Sequence, residues 1–134
     1  MLDIAANAGG KLANKSALLP LLLLAAACKP APDERHFTPG ADAERGRAAI
    51  ERVGCAACHA IPGIDWPNGA VGPSLDGFAR QTLIAGRVPN RPEMLAAFVR
   101  NAPQVSPGSA MPAMPLSKQE SRDVAAYLLA LGDD

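Results

Sequence analysis

Cys55, Cys58 and His59 form a Cys-x-x-Cys-His motif near the middle of this 134-residue chain. The spacing is typical of covalent haem attachment, in which two thiols bind the vinyl groups of the porphyrin and the imidazole binds its iron. Thiols on one helical turn, which rises about 5.4 Å, can reach adjacent edges of one porphyrin. The motif therefore predicts a chain folded around one covalently bound haem.

Three other interpretations use the same residues. A structural zinc site normally needs four protein ligands, and no second Cys/His pair follows; the only other histidine, His36, lies far upstream. A redox-active Cys-x-x-Cys belongs at a helix start after a strand, and no alternating or β-branched run precedes Cys55. Two buried structural cysteines beside a chance histidine are also compatible with the pentapeptide alone.

The composition fits one domain preceded by a leader. The chain has 13 prolines, 12 glycines and only 4% aromatic residues, a balance typical of short helices joined by structured loops. Its formal net charge is zero, so it has no electrostatic footprint for nucleic acid. Without residues 1–27 the chain is slightly acidic, which favours docking partners that present a basic patch.

The pattern of residues 1–27 predicts an export signal. Two lysines precede an apolar run that is too short to span a bilayer comfortably and that ends in three alanines. Cys28 follows directly, and the stretch resembles the lipobox of bacterial lipoproteins, in which the cysteine is lipidated and becomes the new N-terminus. The alternative is an ordinary signal peptide or an uncleaved anchor, with an incidental cysteine. Residues 28–40, rich in proline, predict a semi-extended linker to a domain at 41–134.

Capping signals and apolar periodicity predict three main helices in this domain. The first begins after Asp42 and ends near Gly54. The second begins at Pro92 and stops by residues 101–103, and the third follows Ser117, the first residue of a Ser-x-x-Glu capping box. No run alternates well enough to predict a strand, so the fold class is all-α with long loops wrapped around the haem.

Gly46 lies in the interior of the first predicted helix, where glycine lowers helix stability. We expect it to allow a close approach by the last helix, with Tyr127 as the side chain that fills the notch. Two simple amphipathic helices are equally compatible with the pattern.

A proline-rich loop, 103–116, precedes the last helix and contains Met111 and Met114. A thioether is a soft neutral ligand that binds haem iron opposite histidine and raises the reduction potential. The surrounding prolines would restrict the loop and hold the sulfur in place. Either methionine can be the sixth ligand on this reasoning, since both are followed by proline.

From residue 41 to the C-terminus, the order of the motifs resembles a class I cytochrome c. The motifs are a glycine-containing helix, Cys-x-x-Cys-His, Gly72-Pro73-x-Leu75, a proline-started helix, Pro107-Gly108-x-x-Met111-Pro112 and a last helix with Tyr127-Leu128. The resemblance implies the cytochrome c fold, with three main short helices and long loops around one haem c.

The same resemblance implies a role for each site residue. Cys55 and Cys58 would form the thioethers, His59 would be the proximal ligand and Met111 the distal one. Met111 is preferred to Met114 because it carries the Pro-Gly-x-x-Met-Pro spacing. The carbonyl group of Pro73 would accept a hydrogen bond from the other ring nitrogen of His59, which fixes the orientation of the ring.

With both axial positions of the iron filled by protein atoms, the expected chemistry is one-electron transfer. We expect a lipid-anchored carrier on the periplasmic face of a bacterial membrane, or a soluble periplasmic one. It would take electrons from a quinol-oxidising complex or dehydrogenase and pass them to a terminal oxidase or reductase. The alternatives are a dedicated haem subunit of one dehydrogenase or oxidase complex, and a haem protein that binds gases or peroxide.

An insertion at 61–69 distinguishes this chain from the shortest members of that family. Trp66, within it, is expected to pack partly against its own loop, with a contact to a haem propionate or a docking surface as alternatives. Arg80 and Arg87 are candidate partners for the propionates.

Overall fold

A computed structural model describes residues 36–132, and the predicted export signal, Cys28 and most of the predicted linker lie outside that range. Within it, no helix has both the length and the apolar composition needed to cross a bilayer. The elements in order are α1 (Ala43–Val53), β1 (Leu83–Ile84), β2 (Val88–Pro89), α2 (Pro92–Arg100), α3 (Ala102–Val105) and α4 (Lys118–Ala130), with 3₁₀ turns at Cys55–Ala57 and Phe78–Arg80.

Helix α1 begins and ends where the capping signals predict. The carboxylate of Asp42 accepts a hydrogen bond of 2.8 Å from the backbone N–H of Arg45, which satisfies one of the free donors of the first turn. The helix stops at Gly54, whose φ of 78° is left-handed and whose N–H donates to the carbonyl of Ile50. This glycine directs the chain straight into the cysteine motif.

Helix α2 also begins as predicted, with Pro92 in its first turn, where the missing N–H costs nothing. Arg91 precedes it in extended conformation, but its side chain makes no capping bond. The chain then departs from the prediction at Asn101. The amide oxygen of Asn101 accepts from the N–H of Gln104 at 3.3 Å and starts the short helix α3, in place of the predicted loop.

The capping box of α4 is present in full. The Oγ of Ser117 accepts from the N–H of Glu120 at 3.1 Å, and a carboxylate oxygen of Glu120 accepts from the N–H of Ser117 at 2.8 Å. These reciprocal bonds lower the pKa of the Glu120 carboxyl. They fix the start of the helix on which the domain is assembled, since α4 packs against both α1 and α2.

The expectation that the domain contains no strand was wrong for the segment 83–89. Leu83 pairs with Pro89 and Ile84 with Val88, which makes a two-residue antiparallel hairpin. The turn between them places Ala85 at φ 49° and Gly86 at φ 68°. Two left-handed residues match the twist of a tight hairpin, but alanine is not the residue that usually signals such a turn, so the pattern was missed.

The core lies where α1, α2 and α4 meet. Its most deeply buried large side chains are Ile50, Leu95, Val124 and Leu129, each less than 2% exposed. Burial of each such side chain contributes roughly 1.5–3 kcal/mol relative to exposure. The predicted amphipathic faces therefore account for the packing of the three main helices.

Helices α1 and α4 approach closely at Gly46, as expected, but the predicted filling of the notch was wrong. A Cβ at Gly46 would overlap the carbonyl group of Asp123 and lie 2.9 Å from the backbone nitrogen of Val124. The backbone of α4 therefore occupies the space, and Tyr127 lies one turn further on. Backbone contact of this kind requires glycine because any side chain would push the helices apart.

A buried carboxylate fastens the end of the linker to this crossing. The side chain of Asp123, 3% exposed, accepts bonds from Arg45 at 3.0 Å, Gln119 at 2.9 Å and the N–H of Asp42 at 2.9 Å. Arg45 and Gln119 also donate to the carbonyl of Gly40. Because each oxygen of the carboxylate is paired, its burial is compensated and residues 40–42 are held on α4.

Candidate functional site

The cysteine motif folds as a tight turn directly after α1. The N–H groups of Cys58 and His59 both donate to the carbonyl of Cys55 at 3.1 Å. Ala56, between the two cysteines, is 2% exposed and belongs to the core. The core contact of this small side chain anchors the turn, and the two thiols and the imidazole project from one short stretch of backbone.

The two thiols are free and differ in environment. Cys55 is half-buried against the hydrophobic core, whereas Cys58 is exposed. Burial raises the pKa of the Cys55 thiol. A disulfide is not formed between them, so both sulfur atoms are available for thioether bonds.

His59 is oriented by the chain that follows it. Its Nδ1 lies 2.7 Å from the carbonyl oxygen of Pro73. A carbonyl can only accept, so Nδ1 donates the hydrogen of this bond. The structure thus places the predicted partner at hydrogen-bond distance from Nδ1 and leaves Nε2 as the ring nitrogen that can bind a metal.

The loop that carries Pro73 is joined to the motif by backbone hydrogen bonds. The N–H of Gly69 donates to Ala56 at 2.9 Å, and the N–H of Gly72 donates to Cys58 at 2.7 Å. A Cβ at Gly72 would overlap the imidazole of His59, lying 2.7 Å from Nδ1. A Cβ at Gly69 would overlap the carbonyl of Ala57. Both glycines are therefore needed for the close approach, which the sequence analysis did not predict.

The two candidate methionines lie together on the loop before α4. Both are half-buried and pack against the core cluster. The N–H of Met111 donates to the Oγ of Ser109 at 3.2 Å, and the N–H of Met114 donates to the carbonyl of Arg100 at 3.0 Å. A β-bridge between Asn101 and Ala113 adds a further link to the end of α2. The methionine loop is thus fastened to the helical core.

This donor set fits a covalently bound haem. Two free thiols lie on one turn, an imidazole presents Nε2, and two thioethers are packed against the same core. Thiolate, imidazole and thioether are the groups that hold and ligate haem in proteins. Among residues 36–132, no three His, Cys, Asp or Glu side chains are arranged to hold a metal ion by themselves.

Comparison with known protein families decides the identification. A family model described as "Cytochrome C oxidase, cbb3-type, subunit III" matches residues 41–128. The chain belongs to this family. The predicted cytochrome c fold is confirmed. Membership of the family also supports the predicted covalently bound c-type haem and role in electron transfer.

Two known proteins show how far the similarity extends. The cytochrome is 34% identical over 90 residues to cytochrome c oxidase subunit 2 of Alkalihalophilus pseudofirmus, a match that covers 66% of this chain and 25% of that protein. The chain thus spans about a quarter of that relative's length. The crystal structure of SoxXA from P. pantotrophus matches with a TM-score of 0.53 and 23% identity, over 79% of this chain and 100% of that one. The second likeness concerns the fold.

The predicted partners of the propionates are engaged with backbone carbonyls. A guanidinium nitrogen of Arg80 donates to Gly132 at 3.1 Å, and one of Arg87 donates to Pro107 at 3.4 Å. Arg87 thereby links the hairpin to the methionine loop of the cytochrome. The role of both residues toward propionates stays a prediction.

The position of Trp66 in the insertion at 61–69 differs from the one that the sequence predicts. Trp66 is 86% exposed, so the expected packing of its side chain against its own loop was wrong. The loop is held instead by Tyr127, whose hydroxyl donates to the carbonyl of Pro62 at 2.6 Å. The buried side chains of Ile61 and Ile64 supply its apolar contacts. The sequence shows a tyrosine on the last helix, but no local pattern predicts that its hydroxyl bonds to the carbonyl of Pro62.

Proposed function

We propose that this cytochrome is a mono-haem electron carrier in which Cys55 and Cys58 form the thioethers and His59 and Met111 are the axial ligands. One observation carries the proposal: the 2.7 Å contact between Nδ1 of His59 and the carbonyl of Pro73, immediately beside two free thiols. It holds the ring through Nδ1, which leaves Nε2 as the ring nitrogen for the iron.

The residues around His59 keep its geometry constant. The backbone bonds from Gly69 and Gly72 to the cysteine turn hold the imidazole between two segments of chain. A fixed ligand reduces the structural change between oxidation states, which is what an electron carrier requires. When bound, the haem supplies the one-electron couple, and the protein controls it through ligand identity, hydrogen bonding and burial.

Met111 is the proposed distal ligand because it lies in the Pro-Gly-x-x-Met-Pro pattern and packs against the same core as the cysteine turn. Its backbone is held by Ser109, whose hydroxyl accepts from the Met111 N–H. A neutral thioether on the iron raises the reduction potential relative to a second imidazole.

Visible and near-infrared spectra of the purified, haem-loaded protein test the ligand set. We expect a low-spin spectrum with a sulfur-to-iron charge-transfer band that disappears in Met111→Ala and persists in Met114→Ala, the matched control. The reverse pattern would assign the ligand to Met114. A high-spin spectrum of the wild-type protein with rapid carbon monoxide binding would instead support a gas- or peroxide-binding protein.

A second candidate function is that of a resident haem subunit of an oxidase. The family described as subunit III of a cbb3-type cytochrome c oxidase and the similarity to an oxidase subunit 2 favour it. Solubilised membranes from the organism, separated by size and stained for covalent haem, distinguish the two. A resident subunit migrates with the oxidase activity, whereas a mobile carrier migrates alone.

We further propose that the chain is exported and tethered to the membrane by a lipid on Cys28. Two or more acyl chains hold a protein at a bilayer where one is marginal, and residues 29–40 would then separate the domain from the surface. The support is the sequence pattern of the leader. A labelled fatty acid should be incorporated into the wild-type protein and not into Cys28→Ser; a wild-type protein without label would rule out the tether.

A further inference from the structure

Two large apolar side chains near the cysteine motif are exposed to solvent. Trp66 is 86% exposed and Val71 is 88% exposed, more than the other exposed large hydrophobic residues in the described part of the chain. Single exposed apolar residues are common, but tryptophan is among the residue types most enriched at the energetic centre of protein interfaces. Both belong to one segment, 65–72, which we call the tryptophan loop.

The tryptophan loop is rigidly placed next to the haem-binding turn. The backbone bond from Gly69 to Ala56 lies between the two apolar residues, and the bond from Gly72 to Cys58 follows Val71 directly. The other end is held through Pro62, whose carbonyl accepts from Tyr127. The exposed side chains therefore project from an ordered backbone, so little conformational entropy is lost when a partner covers them.

The chain on either side of this loop carries charged side chains of one sign. Between residues 53 and 79 the sequence contains no lysine or arginine and two carboxylates, Asp65 and Asp76. Both carboxylates line the same open depression, together with Asn68 and Ser74. An apolar centre beside an acidic rim is complementary to a surface on which an apolar spot is bordered by lysine or arginine.

We propose that the tryptophan loop is the docking surface for a redox protein that presents an apolar patch with a basic border. Trp66 and Val71 enter the apolar patch, and Asp65 and Asp76 face the border. The inference rests on the proposed electron-carrier function, because it needs the haem on the adjacent Cys58. In each encounter one electron leaves one protein and enters the other, and no bond forms or breaks.

The test uses the haem-loaded protein and membranes of the organism that carries the gene. One assay measures how fast these membranes oxidise the reduced protein. A second measures how fast membranes supplied with quinol reduce the oxidised protein. Each assay gives a KM and a kcat. Trp66→Ala should raise KM about tenfold or more in at least one direction, as expected for a central aromatic contact. Phe37→Ala is the matched control, since Phe37 is an exposed aromatic residue, 58% accessible, on a different segment.

The dependence of KM on ionic strength distinguishes the apolar contacts of the surface from its acidic ones. The double variant Asp65→Asn/Asp76→Asn should raise KM at low ionic strength only, whereas the effect of Trp66→Ala should persist at high ionic strength. The rate of reaction with ferricyanide, a small oxidant that needs no docking, and the midpoint potential should not change in any of these variants.

Distinct outcomes overturn the docking surface and the proposed function. If wild type and Trp66→Ala have the same KM in both directions, or if the membranes exchange no electrons with a protein that reacts with ferricyanide, the docking surface is wrong. If sedimentation shows a dimer that Trp66→Ala dissociates, the loop binds a second copy instead. If the purified protein has no reversible haem couple, the proposed function itself fails.

Discussion

The carbonyl of Pro73 lies 2.7 Å from Nδ1 of His59, 14 residues earlier in the chain. The contact joins the loop after the insertion to the cysteine turn, and Gly72 makes room for it. A hydrogen bond to Nδ1 increases the basicity of Nε2, so the strength of metal binding at His59 depends on a backbone group rather than on a second side chain.

Gly72→Ala should disturb the imidazole of His59. The added Cβ overlaps the ring, so the ring must rotate or the loop must move away, and the bond to Pro73 lengthens. A less basic imidazole stabilises the oxidised iron less, so the midpoint potential should rise and the yield of haem-loaded protein should fall. Both are measured by spectroelectrochemistry and haem staining. Ala70→Ser, an exposed change in the same loop, is the control, and equal potentials in the two variants would contradict the prediction.

Gly46→Ala should destabilise the crossing of α1 and α4. Although alanine favours an isolated helix, the Cβ would overlap the carbonyl of Asp123, so the backbones of the two helices must separate. We expect a loss of about 3 kcal/mol in the free energy of unfolding, measured by urea titration of the haem-loaded protein. Ala48→Ser, on the exposed face of α1, should change it by less than about 0.5 kcal/mol. A stability equal to that of wild type would show that α4 can move at low cost.

The stability of the domain should depend on the ionisation of Asp123. Burial acts to raise the pKa of its carboxyl, but hydrogen bonds from Arg45, Asp42 and Gln119 outweigh burial, so the pKa is lowered. The unfolded chain, with a pKa near 4, binds the proton more tightly. The stabilisation is therefore complete above about pH 4 and is lost as the pH falls through the lower, folded pKa.

Unfolding experiments between pH 7 and pH 2 on wild type and Asp123→Asn check this sign. The variant should be less stable by about 2 kcal/mol at pH 7, because it loses the charged bonds to Arg45. The loss is no larger because the half-exposed Arg45 side chain is rehydrated when its partner loses its charge. The difference between the two proteins should shrink below about pH 4. A constant difference across the whole range would mean that the carboxylate charge does not contribute.

Tyr127→Phe should loosen the loop at 61–69. The variant keeps the ring but removes the bond of 2.6 Å to the carbonyl of Pro62. We expect a loss of about 1 kcal/mol in the free energy of unfolding and faster amide hydrogen exchange at Ile64, whose N–H donates to Ile61. Exchange at Leu129 in the core of α4 serves as the internal control. If both amides change equally, the hydroxyl stabilises the whole domain rather than the loop.

The sequence alone predicted where the three main helices begin, where α1 ends and that the chain binds a haem. Asp42, Gly54 and Ser117 act within one turn of their own position, so their signals do not depend on the rest of the fold. The cysteine turn is equally local, since thioether attachment needs only the spacing of two cysteines. A covalently bound haem could therefore be predicted without a structure, while the roles of the individual ligands stay predictions.

Contacts between distant segments were decided only by the tertiary structure. Tyr127 was assigned to the notch at Gly46, yet it bonds to Pro62, because the crossing of α1 and α4 brings backbone rather than a side chain to the glycine. Trp66 was expected to pack, yet the loop fills its interior with isoleucines and leaves the indole in water. Such partners depend on how helices cross and how loops return, and these are set by close packing of the whole core rather than by any local pattern.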